Sequence, residues 1–309
     1  MNDLEKYFNE NTGRVIHKYM HYFDVYDRHF SRYRGTDVHI VEIGVSHGGS
    51  LRMWKNYFGD KAKIYGIDIN PNCKQLEEDQ VEIIIGDQGE RDFLKTIPES
   101  IPRIDILIDD GGHTMKQQIY TFEELFSHIQ NDGIYLCEDI HTSYWDEFEG
   151  GYKRNGTYVE YSKDFIDYIN AWHSREPKKL SVSDFTRSVH SLHYYDSILV
   201  IEKKPMEKPY SVKMGTEEVP SYKTRKTISQ KIERIKTRIK RITTRGKNKK
   251  KLVGKCWLPC IMLTLESPTR CYFDAGSRTR GRGTFLCCPT EGSAFGAKKS
   301  TQKKRHPTT

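Results

Sequence analysis

The sequence predicts an α/β protein, a doubly wound parallel sheet closed by an antiparallel C-terminal hairpin. Three observations predict it. Five short apolar runs lie between residues 38 and 139, and segments with helical spacing separate them. The runs are apolar at successive positions, as strands covered by helices on both faces must be. The last apolar stretch before residue 205 then folds back on itself around a short turn.

Residues 3–34 place Tyr19, Tyr22, Phe23, Tyr26 and Phe30 at helical spacing, so residues 1–35 are expected to form helices packed on the sheet. The alternation begins next. VHIVEIG (38–44) reads as a strand, SLRMWKNYF (50–58) as a helix and KIYGIDI (63–69) as a second strand. NCKQLEED (72–79) reads as a helix, VEIIIG (81–86) as a strand and ERDFLKTI (90–97) as a helix. IDILIDD (104–110) is the fourth strand, MKQQIYTFEELFSHI (115–129) a long helix and GIYLCED (133–139) the fifth strand. HTSYWDEFEGGYKRNGTY (141–158) is polar, aromatic and glycine-containing, and reads as a loop; YSKDFIDYINAW (161–172) is a helix. KLSVSDFTRSVHSLHYYDSILVIEKK (179–204) reads as two strands joined by a turn. The main domain is expected to span residues 36–204.

Charge divides the 309-residue chain. Residues 1–204 carry 24 Lys+Arg against 35 Asp+Glu, whereas residues 205–309 carry 26 against 7. The net +8 therefore belongs to the tail, and an acidic main domain argues against nucleic acid as its partner, since phosphate recognition needs a basic face. No stretch approaches the roughly 20 apolar residues of a membrane span. The start MNDLEKYFNENTG lacks the order of a signal peptide. Only Cys73 and Cys137 precede residue 205, too few for a disulfide framework. A cytoplasmic protein is expected, peripheral to a membrane if the tail binds one.

The chemistry gathers at the strand ends. In a parallel sheet, ligands bind outside the carboxyl ends of the strands. The first strand ends in VEIGVSHGGS, with Glu42, Gly44, Ser46, Gly48, Gly49 and Ser50. Glycines there let the backbone approach a ligand. The second ends at Asp68, placed to accept hydrogen bonds from ribose hydroxyls. The third ends at Asp87 and Gln88, the fourth at Asp109 and Asp110, the fifth at Glu138 and Asp139. Seven acids at one edge repel one another unless cations or hydrogen-bond donors compensate. A solvated turn would account for IDDGGH alone, but not for the whole edge.

Taken together, VEIGVSHGGSLRMW, YGIDI, GDQ, IDDGGH and YLCEDIHTSYW resemble the class I S-adenosylmethionine-dependent methyltransferases. Within them the chain is most similar to metal-dependent sugar O-methyltransferases of the macrocin and mycinamicin type, with cephalosporin-hydroxylase-like proteins as relatives. The resemblance is dense over residues 36–145 and absent from the tail. It implies a Rossmann-like methyltransferase fold with S-adenosyl-L-methionine and Mg²⁺ as cofactors. It assigns Glu42, Gly44, Ser46, Gly48 and Ser50 to the methionine end of the cofactor, Asp68 to its ribose and Asp87 to its adenine, with Gln88 also in the cofactor-binding set. It makes Asp110, Glu138 and Asp139 the magnesium ligands and His113 the general base. Asp109 joins the cofactor-binding set or orients the metal ligands by hydrogen bonding. The residues agree: three carboxylates form a hard oxygen site that suits Mg²⁺ better than zinc. His113 would start the following helix and point into the same crevice, or else merely cap that helix.

The implied reaction is methyl transfer to a sugar hydroxyl of a small glycoside or glycan. The metal acidifies the hydroxyl, His113 removes its proton, and the oxygen attacks the sulfonium methyl. His141–Trp145 is expected to supply an aromatic wall for the sugar, with His47 and His141 otherwise left in loops. Rival readings are a catechol or diol O-methyltransferase, a hydroxylase-like protein, a dehydrogenase using NAD and a non-catalytic binding module. GVSHGGS lacks the GxGxxG spacing of the dehydrogenases.

The antibiotic enzymes carry a substantial N-terminal assembly domain, and here about 35 residues precede the first strand. Oligomeric state is therefore left open, a homo-oligomer included. In the linker 205–251, Ile228, Ile232, Ile235, Ile239 and Ile242 recur at steps of 4, 3, 4 and 3 among basic residues. That describes a basic amphipathic helix suited to an anionic membrane surface or other polyanion, to weak coiled pairing, or to solvent alone. Residues 252–309 have no periodicity. Cys256, Cys260, Cys271, Cys287 and Cys288 include no CxxC pair, and disorder or an out-of-frame extension explains the composition better than a zinc site.

Overall fold

The structure is a computed structural model that describes residues 1–220, 222, 227–230 and 232–239. The chain divides into two compact units, residues 1–215 and 216–309. In the first, a seven-stranded sheet runs in the order β3-β2-β1-β4-β5-β7-β6. The strands are β1 (His39–Ile43), β2 (Lys63–Asp68), β3 (Val81–Ile85), β4 (Ile104–Asp109), β5 (Ile129–Cys137), β6 (Val189–Tyr194) and β7 (Leu199–Lys203). β1 to β5 are parallel, and β7 and β6 close the sheet antiparallel, as expected.

Alternation along the strands builds two cores. Ile40, Ile64, Ile106, Ile108, Ile134 and Leu136 point to one face, under α1 (Asp3–Glu10), α2 (Tyr22–Phe30) and α3 (Gly49–Phe58). Val41, Ile67, Leu107, Tyr135, Cys137 and Ile201 point to the other. That face is covered by α4 (Arg91–Leu94), α5 (Ile97–Ser100), α6 (Met115–Leu125), α7 (Tyr158–Ile169) and α8 (Asp184–Ser188). This is why the parallel strands read as continuous apolar runs.

Several elements depart from the sequence reading. The expected helix at 72–79 is a 3₁₀ segment, Pro71–Leu76, begun by the Asn70 side chain. The helix at 90–97 splits into α4 and α5, because Pro98 fits only the first turn of a helix. β5 starts four residues early, at Ile129. The loop after it contains two 3₁₀ turns, Ile140–Tyr144 and Asp146–Phe148. The first strand of the hairpin begins only at Val189; before it, Ser183 and Thr186 form a capping box that starts α8. Between α1 and α2, residues 11–21 are extended rather than helical and cross the carboxyl edge of the sheet as a strap.

In the second unit, residues 228–230 and 232–239 are helical, with Ile228, Ile232, Ile235 and Ile239 exposed. Ile242 and the five tail cysteines lie outside the described residues. Among the described residues, no helix is long and apolar enough to cross a membrane.

Candidate active site

Strand order reverses between β1 and β4, and a cleft of about 410 Å³ opens there, outside the carboxyl ends. Two glycines make it. Gly44 has φ +98°, and a Cβ there would lie 1.9 Å from the Asp110 carbonyl oxygen. Only glycine lets the ends of β1 and β4 approach so closely. A Cβ on Gly49 would lie 2.2 Å from the Val15 carbonyl oxygen, so this position lets the strap lie against the start of α3.

The same alternation that sorts the cores sorts the acids. Glu42, Asp110 and Glu138 continue the face of Ile40, Ile108 and Leu136, whereas Asp109 continues the face of Leu107. Asp109 is fully buried beneath the cleft, where its carboxylate accepts from Gln88 Nε2 at 2.6 Å and from Tyr135 Oη at 3.5 Å. It does not reach the cleft, which corrects its place in the cofactor-binding set and leaves the supporting role. Gln88 lines the cleft, yet its amide is fully engaged. Nε2 also donates to Thr121 and Oε1 accepts from Gly112 N at 3.0 Å, so Gln88 holds the DDGGH turn in place.

Gly44, Ser46, Ser50, Asp68 and Asp87 line the cleft. Asp68 Oδ2 accepts from the backbone amides of Val45 and Ser46, both at 2.9 Å, and Oδ1 from Asn70 N at 2.8 Å. It therefore clamps the glycine loop as well as facing the cleft. Asp87 Oδ1 accepts from Gly89 N at 2.7 Å. Gly48, with φ +71°, starts α3 from outside the cleft, packed beside Arg14 and Leu76. Glu42 is also outside it, fully buried behind Ser50, whose Oγ donates to Glu42 Oε2 at 2.9 Å.

Asp110, His113 and Asp139 come together at the cleft, each offering a donor atom within 4.8 Å of the others. His113 Nε2 is 3.5 Å from Asp139 Oδ2. His113 does not start α6. It sits before it at φ +57°, and Thr114 is the cap, in a capping box with Gln117. The imidazole is thus left to the cleft, and its buried Nδ1 has no hydrogen-bond partner among the described residues. Asp139 turns out of β5 at φ +52° to meet it. Glu138 lies deeper: it is fully buried and bonded to Tyr26 Oη and Lys18 Nζ, each at 2.7 Å.

Lys18 is the residue that the sequence reading missed. Its ammonium, almost fully buried, bridges Glu138 and Asp110 Oδ2, the latter at 2.5 Å. Burial alone would lower its pKa, but Asp110, Glu138 and Glu42 outweigh burial and hold it well above the ordinary lysine range. Burial and then repulsion from Asp110 push Glu138 well above the ordinary carboxylate range, because one lysine serves two carboxylates. Tyr22 Oη completes the arrangement, donating to Asp139 Oδ1 at 2.6 Å. Tyr22 and Tyr26 read as helix packing, and no local pattern marked Lys18, which lies in the strap ahead of α2.

This donor set fits a magnesium ion. It is rich in carboxylate oxygen, and a single lysine leaves Asp110, Glu138 and Asp139 with net negative charge. Beside it, Tyr19, His141, Trp145 and Phe148 form a chain of ring contacts that ends at His113. Trp145 and Tyr144 are exposed there.

Burial pushes Glu42 up to about 7, against the pull of Lys18, and pushes Asp109 up to about 7, against the hydrogen bond from Gln88. Unfolded, such carboxyls titrate near about 4. Between those values the folded state holds protons that the unfolded state has released, so stability falls as pH rises through that window. In metal-free protein without cofactor, Glu42→Gln should therefore show a shallower fall in melting temperature between acid and neutral pH than the parent. Equal slopes would contradict the assignment.

Residues 41–140 match a family model described as a methyltransferase domain. This region is a methyltransferase domain. The chain is 34% identical over 193 residues to the 8-demethyl-8-alpha-L-rhamnosyl tetracenomycin-C 2'-O-methyltransferase of Streptomyces olivaceus, covering 59% of this chain and 50% of that protein. It is 34% identical over 209 residues to the mycinamicin VI 2''-O-methyltransferase of Micromonospora griseorubida, covering 64% and 51%. Among solved structures, it resembles the MycE methyltransferase of the mycinamycin pathway in complex with Mg, SAH and mycinamycin VI. That likeness has 30% identity, a TM-score of 0.58, and coverage of 74% of this chain and 57% of that one. The chain thus spans about half the length of the curated relatives it matches. The sheet around the methyltransferase domain is the Rossmann-like methyltransferase fold, closed by its antiparallel hairpin.

Proposed function

We propose that the chain is an S-adenosylmethionine- and Mg²⁺-dependent O-methyltransferase acting on a sugar hydroxyl of a glycoside or glycan. The observation that carries this reading is the meeting of Asp110, Asp139 and His113 at the mouth of a cleft lined by Gly44, Ser46, Asp68 and Asp87. Of the relatives named above, one is a 2'-O-methyltransferase of a rhamnosyl tetracenomycin C and the other a 2''-O-methyltransferase of mycinamicin VI, which supports the reading.

When bound, these groups supply an electrophilic methyl and a charge that acidifies a nearby hydroxyl. The glycine loop and Asp68 hold the cofactor's methionine and ribose portions, and Asp87 its adenine. Asp110, Asp139 and the deeper Glu138 hold the metal. Lys18 and the two tyrosines fix the carboxylates so that they do not move apart under their own repulsion. His113 takes the proton of the attacking hydroxyl. Orientation of the sugar falls to the aromatic chain from Tyr19 to Phe148, because ring faces suit the apolar faces of sugars.

Two predictions test this reading. Asp68→Ala should weaken S-adenosylmethionine binding by roughly 1.5–3 kcal/mol, since ribose hydroxyls lose a charged acceptor. Calorimetry on that variant and on Asp110→Ala should show the loss in the first only. Second, incubation with glycosides and cofactor should give products heavier by one CH₂ unit. A gain of one oxygen atom instead would make the protein a hydroxylase. The proposal places catalysis in residues 1–204, with Lys18, Tyr22 and Tyr26 ahead of the sheet part of the site, and the protein in the cytoplasm. It assigns contact with an anionic surface to the exposed isoleucines and basic residues of the second unit.

A further inference from the structure

Outside the cleft, three elements converge on a second group of metal-binding side chains. α2 supplies His29, β6 His193 and β7 Glu202, and their donor atoms all lie within 4.8 Å of one another. We propose that His29, His193 and Glu202 form a transition-metal site, suited to Zn²⁺, separate from the oxygen-rich cleft.

The backbone builds it. In the β6–β7 ladder, Ser191 pairs with Glu202 and His193 with Val200, so Ser191, His193, Tyr195 and Glu202 project on the face that α2 covers. His29 Nδ1 lies 2.8 Å from Glu202 Oε1, and His193 Nε2 lies 3.9 Å from Oε2. Among the described residues, these two imidazoles are the only ion-pair partners of Glu202, so no lysine or arginine neutralises it.

Two imidazoles and a carboxylate suit zinc and its neighbours rather than magnesium. The supporting contacts are also present. With a metal on His29 Nδ1, the ring proton resides on Nε2, and Tyr195 Oη, 2.9 Å away, accepts it. Ser191 Oγ, 3.2 Å from Glu202 Oε2, steadies the carboxylate. His193 and Glu202 are partly exposed, which leaves a path in and room for a further ligand. Tyr22, Tyr26 and His29 fall on one stripe of α2, so an ion there would pin the helix whose tyrosines hold Asp139 and Glu138.

The test uses the full chain with Mg²⁺ in excess, titrated with Zn²⁺ by calorimetry and with Co²⁺ by absorption. Any Co²⁺ taken up by cysteine thiolates would be recognised by its thiolate-to-metal charge transfer and counted apart. The parent and Asp110→Asn should each bind one equivalent more than His193→Ala or Glu202→Gln. The extra Co²⁺ should show ligand-field bands without charge transfer, and Zn²⁺ should raise the melting temperature of the parent but not of His193→Ala. The metal-free melting curves of both variants establish that they fold. Equal stoichiometry in the parent and both folded variants, or an extra equivalent lost only in Asp110→Asn, would overturn the site.

Discussion

Replacing Asp110 with asparagine is expected to abolish methyl transfer while leaving S-adenosylmethionine binding near that of the parent. Asp110 is one of the two carboxylates that meet at the cleft, and its Oδ2 is held by Lys18. On the proposed reading, the substitution removes a hard, charged metal ligand that an amide oxygen replaces poorly. It does not touch Asp68 or the glycine loop. Its effect on stability separates a functional from a structural role. Lys18 faces two carboxylates in the parent, so losing one leaves a balanced pair with Glu138 and removes the repulsion that adds to burial in raising Glu138. The melting temperature without metal should therefore hold or rise. A large fall in stability, with activity lost only in proportion to unfolded protein, would make Asp110 a scaffold residue.

His113→Ala should retain both metal and cofactor but lose about 10²–10⁴-fold in turnover, the usual contribution of a positioned base. The imidazole is well placed to be removed cleanly. Thr114 caps α6, so the helix start does not depend on His113. The ring's polar contact is a long one to Asp139, beside a ring contact with Phe148, and among the described residues its Nδ1 has no hydrogen-bond partner. Residual activity in the variant should climb with pH, as hydroxide from solvent takes over the proton. The position also has a backbone cost. At φ +57° a β-substituted residue is strained, and alanine meets that strain as histidine does, so the comparison isolates the ring. Parental turnover in His113→Ala would remove the base from the mechanism.

The sheet was legible because its signals are local. Five apolar runs with helices between them, followed by a closing hairpin, leave few topologies once connections are short and right-handed. The acid-tipped edge was legible for the same reason, since every strand end carries its own residues there. Alternation along β4 also separates Asp109 from Asp110 within the sequence itself, because adjacent residues of a strand face opposite ways. Lys18 was not legible. It belongs to a strap without periodicity, and its partners lie 92 and 120 residues away. Nor was the α8 capping box given its weight, since SVSDF with a following apolar run reads equally as a strand. The split of the segment near Pro98 was visible in principle, as proline disfavours a helix interior.

Activity under chelation tests the central claim most directly. Transfer of a labelled methyl group from S-adenosylmethionine to a glycoside is measured in excess chelator, and again after Mg²⁺ is restored. The account predicts no transfer above background in chelator and recovery with Mg²⁺, with Asp110→Asn inactive in both. Full transfer in excess chelator would contradict it, because Asp110, Glu138 and Asp139 would then have no metal to hold.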